Sequence, residues 1–322
     1  MSQINNYIEN SEGRLDVIDQ YRGAAILLMV LADYLSHIQR VPAWLKHAPG
    51  GKGLTIVDLI APLFIMAIGL TFKPSFQRRL EREGRRQTFL HFIRRFLALI
   101  GIGMLTPRGY SWGLLQTIGG ASLITLLVIQ LPSLARLIIG GTILGGYQIL
   151  SDTVWMERVS ATSSWCEIEG TLGWAAMLIL ASVFADWFYS QPQGRRNSLL
   201  GSLVFLGLGL GLSNWIEISQ YFVSANYVLI SVGASGLLFM GFHELTEKLN
   251  VRLPLLISWG KNPLVLYLLH YWIWIFAFVA PQVRTWYLHA PVWLIVLQAS
   301  GFIGFLSLVA WFMDRRRWII SL

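Results

Sequence analysis

A histidine in a short Gly/Pro loop, with an aspartate eleven residues later, is the pair in this chain best suited to chemistry. The stretch runs Lys46-His47-Ala48-Pro49-Gly50-Gly51-Lys52-Gly53-Leu54-Thr55-Ile56-Val57-Asp58 and continues into an apolar helix. Imidazole exchanges a proton near neutral pH, so His47 suits general acid/base work. A carboxylate at the head of an apolar run is costly and reads as functional. Asp58 could fix the tautomer of His47, as the third group of a triad does. The same residues also read as a solvated loop histidine and an acid stabilising a helix N-terminus.

Other candidates are spread along the chain. Asp33 and His37 stand four apart on one face of the first apolar helix. Asp19 and Arg22 are placed for an ion pair at that helix's start. The stretch from Lys73 to Arg95 carries eight cationic side chains. It reads as a topology signal, as a lipid-headgroup surface, or as a phosphate site, since Arg forks match phosphate oxygens. Arg94 and Arg95 are the sharper candidates, because they sit in the first turns of an apolar helix. Gln116 lies near the end of another apolar helix and could bond substrate or a neighbouring helix. Trp155 and Trp165, beside Glu157, Glu167 and Glu169, could face an amino sugar or form an interfacial belt. Asn262-Pro263 is a helix-start signal. Tyr267 and His270 share a face below it. The single cysteine, Cys166, excludes an intrachain disulfide, and no metal-ligand cluster is evident.

The order His-Ala-(loop)-Gly-Leu-Thr-x-x-Asp-Leu-x-x-Pro-x-Phe, from His47 to Phe64, resembles the heparan-α-glucosaminide N-acetyltransferase family. So do Leu15-Asp16-Val17-Ile18-Asp19-Gln20-Tyr21-Arg22-Gly23, Leu114-Leu115-Gln116-Thr117-Ile118-Gly119, Gly173-Trp174 and the run Gly260-Lys261-Asn262-Pro263 to Tyr267 and His270. The resemblance implies transfer of an acetyl group from acetyl-CoA to an amino sugar across a membrane, with His47 as the catalytic residue. Asp33 and Asp58 would assist. Arg94, Arg95, Arg22, Asn262, Tyr267 and His270 would meet the acetyl-CoA, and Gln116, Trp155 and Trp165 the acceptor. A homodimer is compatible with the family. Two departures stand out. Asp33 occupies a position where the family commonly has Asn, which bears on the acceptor. Thr117 replaces an Arg. Direct transfer and an acetyl-His intermediate are both open routes.

These residues need a scaffold, and composition names its class. The 322 residues are 55% hydrophobic and 13% charged, with a mean hydropathy of +0.56. A soluble domain is about 25% charged. Fourteen tryptophans suit headgroup anchoring. The expectation is an all-α polytopic integral membrane protein, residues 1–322 forming one transmembrane acyltransferase domain. Ten apolar segments fall near 22–38, 54–73, 89–106, 112–131, 134–151, 170–189, 197–213, 225–243, 262–280 and 291–313. A re-entrant, Gly-rich fifth segment would make them nine. Residues 1–14 lack the apolar core of a signal peptide. With the N-terminus inside, 19 Lys/Arg fall on inner segments and 6 on outer ones. The positive-inside rule then puts both termini in the cytoplasm and His47 on the extracytoplasmic face, and the resemblance implies a bacterial-type inner membrane. The net charge of +8 reports this topology and lipid contact, not nucleic-acid binding. Two rivals use the same residues: O-acetylation of envelope glycans, and proton-coupled transport through Asp33, Asp58 and His270. Transporter folds often carry inverted repeats, and none is evident here.

Overall fold

The computed structural model describes residues 16–106, 112–155, 167–190, 192–280 and 283–319. Among these the structure is helical, without strands. The principal helices are α1 (Asp16–Leu35), α2 (Ile60–Met104), α3 (Leu114–Val128), α4 (Ser133–Leu150), α5 (Glu167–Tyr189) and α6 (Gly194–Leu212). They continue with α7 (Ala225–Glu247), α8 (Pro254–Lys261), α9 (Pro263–Trp274), α10 (Arg284–Leu288) and α11 (Val292–Arg315). Each of the ten apolar segments falls on one of these helices. By length and apolar content five of the described helices could cross a membrane, or six if the bent pair α8–α9 is one span.

The longest, α2, is not one rod. Phe72 and Phe96 are 24 residues apart, which is about 36 Å along a straight helix. Their ring centroids lie 5.3 Å apart. Helix α2 therefore folds back on itself as a hairpin. The break is at Gly84, with φ 78° and ψ 169°. That conformation is nearly closed to residues bearing a Cβ. Phe72, Phe76, Phe89, Phe92 and Phe96 then form an aromatic seam between the two arms.

Helix α5 is the pillar. From Trp174 to Ala185 almost every side chain is fully buried, as expected for a helix apolar on all sides and surrounded by others. It packs against α2, α3, α4, α6 and α7. One apolar cluster joins α5 to these neighbours and to one face of α1. A second joins the other face of α1 to α8, α9, α10 and α11. Leu28, Phe64 and Leu114 touch both clusters. The seam between them is where the candidate site lies. Helices α8 and α9 meet at an 88° bend beside that seam.

Candidate active site

The loop carrying His47 is built by its glycines and pinned by a second loop. Pro49–Gly51 forms a single 3-10 turn, and Gly51 has φ +71°. A Cβ on Gly51 would run into the ring of Tyr221, so the turn geometry and the close approach both require glycine. Two residues on, the Gly53 N–H donates to the Ile218 carbonyl at 2.8 Å. The backbone of 48–53 thus rests on the segment between α6 and α7.

Asp58 holds the imidazole. His47 Nδ1 lies 2.8 Å from Asp58 Oδ1. The other oxygen, Oδ2, accepts the Thr55 N–H at 2.8 Å and lies 2.9 Å from the Thr55 hydroxyl, which also neighbours the Lys46 carbonyl at 2.8 Å. The Asp58 carbonyl accepts the Tyr227 hydroxyl at 2.8 Å. Asp58 is fully buried, whereas the His47 side chain is 34% exposed. A carboxylate only accepts, so Nδ1 carries the proton in this pair. Nε2 is then the ring nitrogen with a lone pair. The orienting and helix-start positions of Asp58 coexist, one on each oxygen: Oδ1 meets the imidazole, and Oδ2 holds the Thr55 N–H just ahead of the Val57–Leu59 turn.

A second carboxylate–imidazole pair lies nearby. Asp33 Oδ2 is 3.0 Å from His270 Nε2. His270 is fully buried, and its Nδ1 has no partner among the described residues. His37, expected on one helix face with Asp33, lies beyond the end of α1 at Leu35, in a turn where it approaches Ser36 Oγ at 2.5 Å and faces the Trp274 ring.

Two cavities occupy the seam. The smaller, of about 60 Å³, is lined by Asp33, His47, Gln116, Gln220 and Tyr271 among others. The larger, of about 480 Å³, has an apolar body of Phe64, Phe72, Phe92 and Phe96 and carries Arg22, Arg78, Arg95 and Lys261. Met29, Leu114, Leu115 and Tyr267 line both. From Arg22 to Asp33 on α1 is eleven residues, about 16 Å of helix. From Arg78 to Ile60 on the first arm of α2 is eighteen residues, about 27 Å. The two cavities therefore stand in series between a cationic end and the imidazole, divided by the four side chains they share.

The expected site residues divide accordingly. His47, Asp33 and Gln116 share the small cavity, with Asp58 behind His47. Arg22, Arg95 and Tyr267 line the large one. Arg95 Nε lacks a partner among the described residues, and Arg22 Nη1 is 3.3 Å from both Asp19 Oδ1 and the Gly260 carbonyl. Arg94 points away and is exposed. Asn262 is fully buried and donates Nδ2–H to the Trp318 carbonyl at 2.8 Å, tying the α8–α9 bend to the segment after α11. Neither lines a cavity. Trp155 packs on Tyr147, centroids 5.8 Å apart, and lines neither cavity. Trp165 lies outside the described residues. Sequence reasoning missed Gln220, which carries no motif and stands in the short connection between α6 and α7. Arg78 belonged to the basic stretch read as a topology signal or a phosphate site, and Lys261 figured as a topology charge within the Gly260–Pro263 run. No group of three or more His, Cys, Asp or Glu suited to a metal occurs among the described residues.

Comparison with known proteins returns one family. The model of the heparan-alpha-glucosaminide N-acetyltransferase catalytic region matches residues 14–209, from the residues just before α1 into α6. No curated protein matches the chain.

Proposed function

The chain belongs to the heparan-α-glucosaminide N-acetyltransferase family, whose members are acetyltransferases, and from that premise we propose that it moves the acetyl group of acetyl-CoA onto the amine of a glucosamine-like sugar. In this reading the chain spans a membrane, by ten crossings, with both termini in the cytoplasm. Acetyl-CoA enters from the cytoplasmic side and the acceptor from the other.

The observation that carries the reading is the meeting of the two cavities. Arg22, Arg78, Arg95 and Lys261 give the larger one the charge that phosphates require. Its aromatic body suits an uncharged acyl-bearing arm. The smaller cavity, reached past Met29, Leu114, Leu115 and Tyr267, holds the base.

The chemistry follows from His47. An ammonium cannot attack a thioester, because its lone pair is occupied. Nε2 of His47 takes a proton from the acceptor nitrogen as that nitrogen attacks the acetyl carbon. Asp58 stabilises the imidazolium that forms, by its hydrogen bond to Nδ1. The proton then goes to the departing sulfur. Asp33, an acid lining the same cavity, attracts the acceptor's ammonium, which loses its first proton to solvent before the neutral amine attacks.

The test is acetyl transfer by the purified protein, wild type beside His47→Ala. Acetyl-CoA is supplied with glucosamine, or with a hydroxylated glycan lacking an amine. Amine-dependent release of CoA by the wild type alone supports the reading. Transfer only to the hydroxylated glycan, or full activity in His47→Ala, overturns it.

A further inference from the structure

We propose that Gln220 donates the hydrogen bond that stabilises the acyl oxygen in the cavity of His47. The proposal rests on the acetyl-transfer reading above and adds to it a residue beyond the 14–209 family match.

Gln220 is 2% exposed, lines the cavity that His47 lines, and has neither Oε1 nor Nε2 hydrogen-bonded among the described residues. Leaving a buried amide unpaired costs about 1–3 kcal/mol per group. Its surroundings are not loosely built. Ser219 N–H donates to Ser224 Oγ at 2.9 Å, and Phe222 N–H to Ser219 Oγ at 3.1 Å. Asn226 Nδ2 donates to the Ile216 carbonyl at 2.6 Å, and Tyr147 donates its hydroxyl to the Phe222 carbonyl at 2.8 Å. Ile218 and Tyr221, on either side, hold the His47 loop. The segment thus satisfies the polar groups around Gln220 and leaves this one amide facing the cavity. An unpaired amide at a fixed position against the base is a ligand contact.

The reaction itself indicates which ligand atom it meets. The reaction develops negative charge on the acetyl oxygen, which needs a donor. Ionised Asp33 only accepts. Asp58, behind His47, is engaged with it and with Thr55, and the Gln116 amide is held in place by the Gly113 N–H that its Oε1 accepts. Gln220 Nε2 has a proton to give. Because both ends of its amide are unpartnered, turning the amide to present Nε2 breaks no hydrogen bond.

In the step, the amine lone pair forms the C–N bond and the carbonyl π pair moves onto oxygen. That oxyanion accepts from Gln220 Nε2–H while His47 takes the proton from nitrogen. Re-formation of C=O breaks the C–S bond, and the sulfur leaves with the electron pair and receives the proton from His47. No other reactant is needed.

The experiment compares wild type with Gln220→Leu and Gln220→Met, which keep bulk and remove both polar atoms. Removing an oxyanion donor lowers kcat about 10²–10³-fold, and KM for acetyl-CoA stays near the wild-type value. Removing unpaired buried polar atoms leaves the melting temperature of the ligand-free protein unchanged or raises it. Unchanged kcat in both variants overturns the proposal. So does a fall in melting temperature that tracks the loss of activity in both, since that marks a structural amide. A raised KM for the acceptor at unchanged kcat also overturns it, because Gln220 would then read the acceptor. If the wild type transfers no acetyl group, the preceding reading fails instead.

Discussion

Asp58 grips His47 with one carboxylate oxygen and the Thr55 backbone with the other, both at 2.8 Å. One side chain therefore sets the ring's tautomer and the loop's shape together. Asp58→Asn keeps the volume but can offer N–H where Nδ1–H must be accepted. We expect kcat to drop up to about 10⁴-fold, the loss seen when the tautomer of a triad histidine is wrong. Steady-state kinetics beside a binding isotherm for acetyl-CoA would check this; weakened binding with normal kcat would refute it.

His47→Ala removes the base without touching the cationic end of the larger cavity. Transfer should fall by about 10²–10⁴, the usual share of a general base. Affinity for acetyl-CoA should persist, which calorimetry on the variant would show.

Asp33→Ala leaves the buried His270 with neither nitrogen paired among the described residues. The expected cost is about 1–3 kcal/mol of stability. His270→Phe removes the need for the acid, so the two substitutions should couple. A double-mutant cycle on thermal or denaturant stability should return about 0.5–3 kcal/mol. Additive effects would mean that the pair contributes nothing. Asp33→Asn should keep the hydrogen bond, cost little stability, and raise KM for a cationic acceptor.

Arg95 and Arg94 are neighbours in sequence that differ in placement, one lining the larger cavity and one exposed. Losing a hydrogen bond to a charged group costs about 1.5–3 kcal/mol, or roughly 10–100-fold in an equilibrium constant. Arg95→Gln should raise KM for acetyl-CoA by that factor, and Arg94→Gln should not. Equal effects from both would point to diffuse attraction rather than a site.

Gly51→Ala meets both a positive φ and the Tyr221 ring. The left-handed backbone alone costs about 1–2 kcal/mol with a side chain present. Displacement of the 48–53 backbone should also misplace His47. Melting temperature and kcat should fall together, and a variant with both intact would show that the loop yields easily.

The helical class was legible because apolar runs of membrane length have few other uses. The His47 motif was legible because its residues are close in sequence and Asp58 sits one loop away. Arg22, Arg95 and Tyr267 were readable as polar groups within apolar helices. The partner of Asp33 was not, because His270 is 237 positions on and only packing of α1 against α9 brings them together. The reversal within α2 was legible as the basic stretch between the 54–73 and 89–106 segments, but helix continuing on both sides of a single break at Gly84 was not, because nothing in the charge run marks that residue. Gln220 had no local signal at all: its meaning comes from what surrounds it and fails to bond it. Conversely, Arg94 and Asn262 looked equivalent to their neighbours until helix rotation and the α8–α9 bend separated them.

Met29, Leu114, Leu115 and Tyr267 face both chambers, and all four belong to helices. What divides the chambers is side-chain bulk on a standing framework. Such a partition yields by rotation of side chains between staggered rotamers, and asks for no rocking of one half of the bundle against the other.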